Sequence, residues 1–598
     1  MSQTFGQFIV NDLLPKDLRS TDTLDKKTLY KKLYGLARQD SNQAGKTMDL
    51  LRDLGHSIAT TEGISISLDD ITPEYAKRDA IVKPALDKLK KTSDMAKRQV
   101  IINGVQDDML NATKSFHGSQ GVYVQSGGRG KPVQLQRMSM TPVAGRMHTG
   151  DPYPWLVTKS HAEGLRASEM ISTNFETRNN QIGSNKQVTE PGDFSKILVS
   201  NMSDQLVLEE DCGTTNGISM PTDDTNIIDR FLSQPAGGFP RGTLITPQVF
   251  TRLKKSTKSV LVRSTMTCEL NDGICQKCFG ANEKGSMHDL GTNVGVRSAQ
   301  AITEPLTQFA LSAKHGVRAA GAKEKGQVEG LKGFRNFLEI PQSFTNKAIL
   351  AEERGEVGNI IQAPQGGYDI SIGERSYYTP PGLDVRVKKG QSVLPGDALS
   401  DGIPKPDEVV ALKGMGEGRK YVVDQMYKVY KNQGLDVDKR HLEILARSHL
   451  NHVEILDDPE ERFYPGELVS YPSLLKTLKQ DSRSIALKKS EGKMMSQGHL
   501  HHVAGTTITP EIMKELKSKG FSNVNIARKP PTLAFAMRPI QRNPLLNPDW
   551  MARLGHRYLK DSILEGAHFG QKSNIHGTHP IPAYVYGADF GTGVGKRY

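Results

Sequence analysis

The stretch VGVRSAQAITEPLTQFALSAKHGVRAAG, residues 294–321, is the part of the sequence on which the interpretation of the whole chain depends. If its second half is helical, Gln308, Leu311 and His315 are spaced i, i+3 and i+7 and project from one face. That face combines a hydrogen-bonding amide, an apolar side chain and a titratable ring. Taken alone, the stretch favours an amphipathic surface helix with an incidental histidine, so the rest of the chain has to decide.

The composition indicates a large and mildly basic protein. Its 598 residues are enough for several domains, and 78 Lys and Arg against 66 Asp and Glu give a formal net charge of +12. The isoelectric point near 9.2 suits a polyanionic partner. With 4 cysteines, no apolar run of membrane length and no cleavable leader in MSQTFGQFIV, we expect a cytoplasmic protein with reduced thiols and no membrane partner.

The patterning predicts a multidomain α+β fold. Charged, periodic segments predict helices up to about residue 115, with a short β-like insertion over residues 62–75. Residues 164–199 have the length of a helix but are polar on nearly every side, which is typical of a helix that bridges larger bodies. We expect it to be interrupted and bent at Pro191 and Gly192. After about residue 335 the pattern becomes β-rich, and helices return towards the end.

The cysteines form the clearest constellation in the sequence. Cys275 and Cys278 form a C-x-x-C pair that can chelate from one tight turn, Cys268 lies seven residues before Cys275, and Cys212 can complete the set from a distance. Four thiolates leave no ligand position open, so the pattern predicts a structural Zn²⁺ site. Four unrelated buried thiols are the alternative, but the use of every cysteine favours zinc.

Other segments offer weaker signals for metals or phosphates. His499, His501 and His502 crowd together in GHLHHVAG without an acidic residue nearby in sequence, so we predict solvated loop histidines rather than a metal site. The closing GADFGTGVGKRY lacks the spacing of a phosphate loop. The segment DVDKR offers only Asp436 and Asp438, so any catalytic Mg²⁺ has to be bound mainly by another chain.

Taken together, these features resemble the carboxyl-terminal part of the β′ subunit of multisubunit DNA-dependent RNA polymerases. Residues 294–321 are similar to the trigger-loop segment of that family, with Leu311 where methionine is usual. The residues in register with the family pattern are Gln300, Glu304, Pro305, Thr307, Gln308 and His315. Further segments keep the family's order, among them FIVNDLLPKDL, GISISLDDI, SGGRGKPVQ, the cysteine set, GQSVLPGDALSDGIPKPDEVVALKG and YPGELVS.

The resemblance implies a division of the chain into seven parts. These are a helical funnel-like region (1–115), a Gly-rich active-site loop region (116–163), a bridge helix (164–204), a zinc-binding region (205–290), trigger helices and loop (291–335), a β-rich barrel-sandwich or jaw-like module (336–405) and a carboxyl-terminal clamp-like region (406–598).

The family's N-A-D-F-D-G-D metal loop has no counterpart in this sequence. The resemblance therefore implies a separate carboxyl-terminal polypeptide of a split β′ subunit, of the giant-bacteriophage kind, working in the cytoplasm of a bacterial host. The partners that it implies are an N-terminal β′ polypeptide carrying the aspartates, a β subunit or its fragments, a promoter-specificity factor, DNA template, RNA product and nucleoside triphosphates.

The resemblance also implies roles for single residues. His315 would reach the β-phosphate and donate a proton to pyrophosphate, Gln308 would bind the ribose hydroxyls, and Leu311 would stack on the base. Substrate or nucleic-acid contacts are implied for Arg129, Gln134, Arg178, Val188 and Thr189. The alternative is a zinc-stabilised nucleic-acid-binding scaffold, derived from β′, that regulates transcription without catalysing it.

Overall fold

The structure is a computed structural model. It describes residues 5–20, 26–62, 67, 69–116, 118–126, 128–145, 153–312, 330–344, 346–432, 435–547, 549–554 and 559–572. These residues form two compact units, one drawn from residues 1–189 and 311–319 and the other from residues 190–310 and 320–598. Helices and sheets occur together in the chain, which confirms the predicted α+β class.

The first unit is built from helices in its described part. They are α1 (Phe5–Leu13), α2 (Lys26–Gln39), α3 (Ser41–Thr61), α4 (Tyr75–Lys90), α5 (Met95–Ala112), α6 (Ser119–Gln125), α7 (Pro132–Ser139) and the first part of α8 (Ala167–Met202). Helices α4 and α5 supply the centre of its core with Val82, Leu89, Ile102 and Met109. Residues 63–66 and 68 of the predicted β-like insertion lie outside the described residues, so the insertion stays a prediction there, and Asp69–Ile71 form a 3-10 turn.

Helix α8 is the longest helix of the described chain, with 36 residues. Glu169 holds its first turn, because its carboxylate accepts hydrogen bonds from the backbone N and Oγ1 of Thr158, both at 2.7 Å. The helix continues through Pro191 and Gly192, so the predicted interruption is wrong. A proline inside a helix costs roughly 3 kcal/mol. Burial of Phe194, Leu198 and other apolar residues beyond it in the second unit opposes that cost.

The second unit combines helices with small sheets. Its helices are α9 (Pro247–Ser256), α10 (Gln276–Phe279), α11 (Val294–Ser312), α12 (Gly330–Glu339), α13 (Pro406–Asn432), α14 (Lys439–His449), α15 (Tyr471–Gln480), α16 (Pro510–Ser518), α17 (Trp550–Arg553) and α18 (Leu559–His568). Its strands are β1 (Val207–Glu209), β2 (Ile218–Pro221), β3 (Ser259–Val262), β4 (Ile274–Cys275), β5 (Gly355–Gln362), β6 (Tyr368–Ile372), β7 (Arg375–Thr379), β8 (Ser392–Val393), β9 (His452–Asp457), β10 (Leu468–Ser470), β11 (Ser482–Ala486), β12 (Asn523–Ala527) and β13 (Thr532–Phe535).

The largest sheet has four strands in the order β7-β6-β5-β8, all antiparallel, where the alternating sequence predicts strands. A three-stranded sheet has the order β10-β9-β13, and β2-β3 and β11-β12 form antiparallel pairs. Strands β1 and β4 pair in parallel. Within the described ranges, no helix is long and apolar enough to cross a membrane.

Helix α11 lies in the main core of the second unit. Its apolar residues Ile302 and Leu306 are buried together with Phe334 of α12 and Tyr430 of α13. The hydroxyl of Tyr430 donates a 2.5 Å hydrogen bond to the carbonyl of Ile302. This contact fixes the middle of α11, although Pro305 cannot donate to the helical ladder there.

Candidate functional site

The structure brings the four cysteines together. Cys275 and Cys278 lie on β4 and α10, Cys268 follows a 3-10 turn, and Cys212 lies three residues after β1, the parallel partner of β4. Their sulfur atoms all lie within 4.8 Å of one another, and the Sγ atoms of Cys212 and Cys278 are 3.7 Å apart. Sulfurs bound tetrahedrally to Zn²⁺ at ≈ 2.3 Å stand about 3.8 Å apart. The predicted ligand set therefore has the size that zinc requires.

Arg263 contacts the cysteine cluster directly, although no pattern in the sequence predicts this contact. Its Nη2 donates to the Sγ atoms of Cys212, Cys278 and Cys275 at 3.1, 3.3 and 3.4 Å. Its Nη1 donates to Asp211 at 2.6 Å. Because a tetrathiolate zinc centre carries two negative charges, a buried guanidinium on its sulfurs stabilises the charged form.

Asp211 links Arg263 to a second cation. Lys277, in the turn between Cys275 and Cys278, donates to the other carboxylate oxygen of Asp211 at 2.8 Å. Burial raises the pKa of Asp211, but the hydrogen bonds from Lys277 and Arg263 outweigh it and lower the pKa to about 2. The carboxylate is therefore ionised at neutral pH and orients both cations around the cysteines.

Arg447 on α14 clamps the loop that carries Cys268. Its guanidinium donates to four backbone carbonyls of this loop, those of Thr265 at 2.8 Å, Cys268 at 3.0 Å, Leu270 at 2.7 Å and Gly273 at 3.2 Å. These bonds hold the loop in shape independently of any metal. Nothing in the local sequence marks Arg447 for this role, because the carbonyls lie more than 170 residues earlier.

A second arginine joins α14 to the cysteine region. Arg230 and Glu443 form a bidentate salt bridge, with N–O distances of 2.8 and 2.7 Å and side chains that are each 1% exposed. The hydroxyl of Ser264 donates to the same carboxylate at 2.6 Å. A buried ion pair is stable only when its polar atoms are hydrogen-bonded, and these bonds meet that condition. They hold α14 in place beside the candidate zinc site.

The end of α8 and the start of α11 are in direct contact. The backbone N of Gly295 donates to the carbonyl of Gln205 at 2.9 Å, just beyond the end of α8 at Met202. Further along, the hydroxyls of Ser195 on α8 and Thr303 on α11 are 3.3 Å apart. The two helices that the resemblance identifies as bridge and trigger helices thus share one packed junction within the second unit.

The residues predicted to act on a nucleotide are only partly described. Gln308 and Leu311 fall on α11, but their side chains lie outside the described residues, as does the whole of His315. On α8, Arg178 and Thr189 are exposed, and the side chain of Val188 lies outside the described residues. Their roles remain predictions.

Arg129 and Gln134 lie on either side of the start of α7 in the first unit. Arg129 is exposed, and its backbone N donates to the carbonyl of Tyr123 at 3.2 Å. The side-chain oxygen of Gln134 accepts a 2.9 Å hydrogen bond from the backbone N of Lys131 and so caps α7, which begins at Pro132. The residue as a whole is exposed.

The predicted solvated state of the histidines in GHLHHVAG is wrong. The side chains of His501 and His502 are only 8% and 4% exposed, and they are hydrogen-bonded to Glu417 and Glu515, respectively. His499 is half-buried against the ring of Phe521. Asp438, one of the two aspartates of DVDKR, caps α14 by accepting a hydrogen bond from the backbone N of Arg440.

Comparisons with known proteins agree on one family. Residues 382–484 match the family model for RNA polymerase Rpb1, domain 5. The chain is 27% identical over 520 residues to the DNA-directed RNA polymerase subunit β′ of Desulforamulus reducens, a match that covers 78% of this chain and 43% of that protein. The subunit β′ of Thermobifida fusca is 26% identical over 530 residues, which is 79% of this chain and 39% of the relative.

The chain thus spans less than half the length of the curated relatives that it matches. The similarities support a carboxyl-terminal, β′-like RNA polymerase subunit.

Proposed function

We propose that this chain is the carboxyl-terminal β′ polypeptide of a split, phage-type DNA-dependent RNA polymerase. It supplies α8 as the bridge helix and α11 with residues 313–329 as the trigger helix and loop. The observation that carries the proposal is the similarity to β′ subunits along 78% of the chain. The clustering of the four cysteines supports it, because the resemblance implies a zinc site formed by these residues.

The reaction would be RNA chain extension. The 3′ hydroxyl of the RNA attacks the α-phosphate of a nucleoside triphosphate, a new P–O bond forms, and the bond to the β-phosphate breaks to release pyrophosphate. Two Mg²⁺ ions, held mainly by a partner chain, would stabilise the developing negative charge. This chain contributes the parts that position the nucleotide and close over it.

Three residues, Gln308 and Leu311 on α11 and His315 beyond its end, would act on the substrate. His315 would place a proton donor at the β-phosphate, which suits a ring with an ordinary pKa of about 6.5. Gln308 would hydrogen-bond the ribose hydroxyls, and Leu311 would lie on the base. Because α11 is anchored to α8 and α13, closure would involve the end of the helix rather than its base.

The first unit would add contacts to phosphates. Arg129 is exposed on a glycine-rich loop and could bind the triphosphate as a bidentate cation. Gln134 lies on the next helix, and Arg178, Val188 and Thr189 lie on α8 along the expected path of the template.

The zinc centre would be structural. Cys212, Cys268, Cys275 and Cys278 would hold Zn²⁺ with no open position, and Arg263 would neutralise part of its charge. The site joins β1, β4 and α10, which lie between the end of α8 and the start of α11 in the chain. Metal binding would therefore stabilise the segment that connects the end of α8 to the start of α11.

Reconstitution tests the proposed function. The chain is assembled with the N-terminal β′ polypeptide and the β fragments on a DNA template with an annealed RNA primer, and extension is measured with and without it. We expect extension only in the complete assembly and none from the chain alone. Extension without this chain would contradict the proposal, and a complete assembly that binds DNA without extending RNA would favour the regulatory scaffold.

A further inference from the structure

The histidines in residues 499–502 lie on a tight turn. The backbone N of each of His499 and His502 donates to the carbonyl of the other at 3.0 Å, and Leu500 has a φ of 56° within the turn. This geometry places the imidazole rings of His501 and His502 with their centroids 4.1 Å apart. The two imidazole rings, both largely buried, are therefore direct neighbours.

Two carboxylates converge on these rings from different helices. Oε1 of Glu417, on α13, lies 2.5 Å from Nε2 of His501. Oε2 of Glu515, on α16, lies 2.9 Å from Nε2 of His502, and its Oε1 is 4.0 Å from Nδ1 of His501. Each imidazole therefore has its own carboxylate, and Glu515 reaches towards both.

Backbone contacts hold Glu417 in this position. Gly414, with a φ of 86°, interrupts the helical geometry of α13 three residues before Glu417. A Cβ at Gly416 would lie 2.3 Å from the carbonyl oxygen of His501, so only glycine allows α13 to approach the turn this closely. The convergence of Glu417 and His501 is thus built into the backbone and does not depend on a flexible surface side chain.

We infer that Glu417, His501 and His502 form a second metal site, for a divalent transition-metal cation of the Zn²⁺ class, with Glu515 beside it. One ligand atom from each of the three residues lies within 4.8 Å of the others. Nitrogen and oxygen ligands of tetrahedral Zn²⁺, at ≈ 2.0–2.1 Å from the metal, stand about 3.3 Å apart. The metal would take the place of the proton between Glu417 and His501, whose ligand atoms would move apart from 2.5 Å, and His502 would turn from Glu515 towards it.

The donor types fit a cation of this class. Imidazole nitrogens and a carboxylate oxygen are ligands that Zn²⁺ binds. The hydrogen bond between Glu417 and His501 shows that a carboxylate oxygen and an imidazole nitrogen already face each other.

The surroundings carry both signs of charge. Lys420, on the same helix as Glu417, and the buried Arg419, in the wall of the same cavity as the two histidines, oppose a cation. Arg419 is held away by two hydrogen bonds to the carbonyl of Leu450. The two carboxylates together balance a dication, and both histidines line the cavity.

This site differs from the cysteine site in its donor chemistry, so the two can be measured separately. Thiolates bound to Co²⁺ give an intense ligand-to-metal charge-transfer absorption, whereas imidazole and carboxylate ligands give only weak d–d bands. Full-length, untagged chain is equilibrated with buffered Zn²⁺, its metal content is measured, and the titration is repeated with Co²⁺. We expect two Zn²⁺ per wild-type chain, and a second Co²⁺ equivalent without charge-transfer absorption.

Three variants localise the second ion. Glu417→Gln, which keeps an oxygen able to accept from His501, and the double variant His501→Ala with His502→Ala should each bind one Zn²⁺ and keep the thiolate absorption. His56→Ala removes an exposed histidine of α3 and should still bind two. Wild-type chain that binds a single Zn²⁺, or Glu417→Gln and double-variant chains that both retain two, would overturn the inference.

Discussion

A Cβ atom at Gly295 would lie 1.7 Å from the carbonyl oxygen of Met202, so α11 begins in direct backbone contact with the last residue of α8. No residue with a Cβ atom fits at this position without moving one of the two helices. Because real Cβ atoms do not approach an oxygen this closely, the contact specifies glycine for packing rather than for turn geometry. The base of the proposed trigger helix and the end of the proposed bridge helix are therefore coupled.

Gly295→Ala should destabilise the second unit by about 1–3 kcal/mol, because the added methyl group has to displace α11 from α8. Gly192→Ala is the matched control, since Gly192 lies inside α8 with open space around it. Its replacement should stabilise the helix by roughly 0.5–1 kcal/mol. Urea unfolding followed by circular dichroism measures both changes. Equal effects of the two substitutions would show that the close contact does not exist.

Removal of zinc should loosen the second unit. A thiol-reactive mercurial should release one Zn²⁺ for the four cysteines, because the metal is held by all of them. We expect the region around α10 to become sensitive to proteases at the same time, while α4 and α5 of the first unit stay protected. Four thiols that react at once in native, untreated protein without releasing zinc would contradict this prediction.

Arg263→Gln should weaken zinc binding by about 10–100-fold, since it removes the N–H donors to three sulfur atoms. Arg241→Gln is the control, because Arg241 donates to the carbonyls of Gly213 and Thr214 beside Cys212 but contacts no sulfur. Competition with a chromophoric chelator gives both affinities. An unchanged affinity in Arg263→Gln would mean that the arginine is not needed to balance the thiolates.

Gln308→Ala should mainly reduce selection of ribonucleotides over deoxyribonucleotides in the assembled enzyme, because the 2′ and 3′ hydroxyls lose their polar partner. Single-nucleotide incorporation with matched ribo- and deoxyribonucleoside triphosphates measures the ratio of kcat/KM. The deoxyribonucleotide rate should change far less than the ribonucleotide rate. Proportional losses on both substrates would assign Gln308 to the packing of α11 instead.

Local chemistry made the cysteine cluster predictable from sequence. Cys275 and Cys278 are spaced to chelate from one turn, and the use of every cysteine of the chain favoured a single site that also includes Cys268 and Cys212. A long helix at α8 was also predictable, because residues 164–199 have the length of a helix and are polar on nearly every side. The predicted break at Pro191 was wrong, because packing of the residues that follow it opposes the loss of one helical hydrogen bond.

Contacts that depend on tertiary structure left no local signal. Glu417 and His501 are 84 residues apart, and the glycine that brings them together, Gly416, reads in sequence as an ordinary helix-weakening residue. Arg447 and the carbonyls that it binds are even further apart. The contact between Glu417 and His501 depends on how α13 packs against the histidine turn, which local sequence does not encode.

The most direct test of the account is single-turnover nucleotide addition by a preformed elongation complex that contains either wild-type chain or His315→Ala. His56→Ala, which removes an exposed histidine from α3, is the control. The account predicts that His315→Ala slows addition by ~10²-fold or more while binding to the template–primer duplex is unchanged, and that His56→Ala behaves as wild type. A wild-type rate in His315→Ala would contradict it and leave residues 307–321 as a surface segment with an incidental histidine.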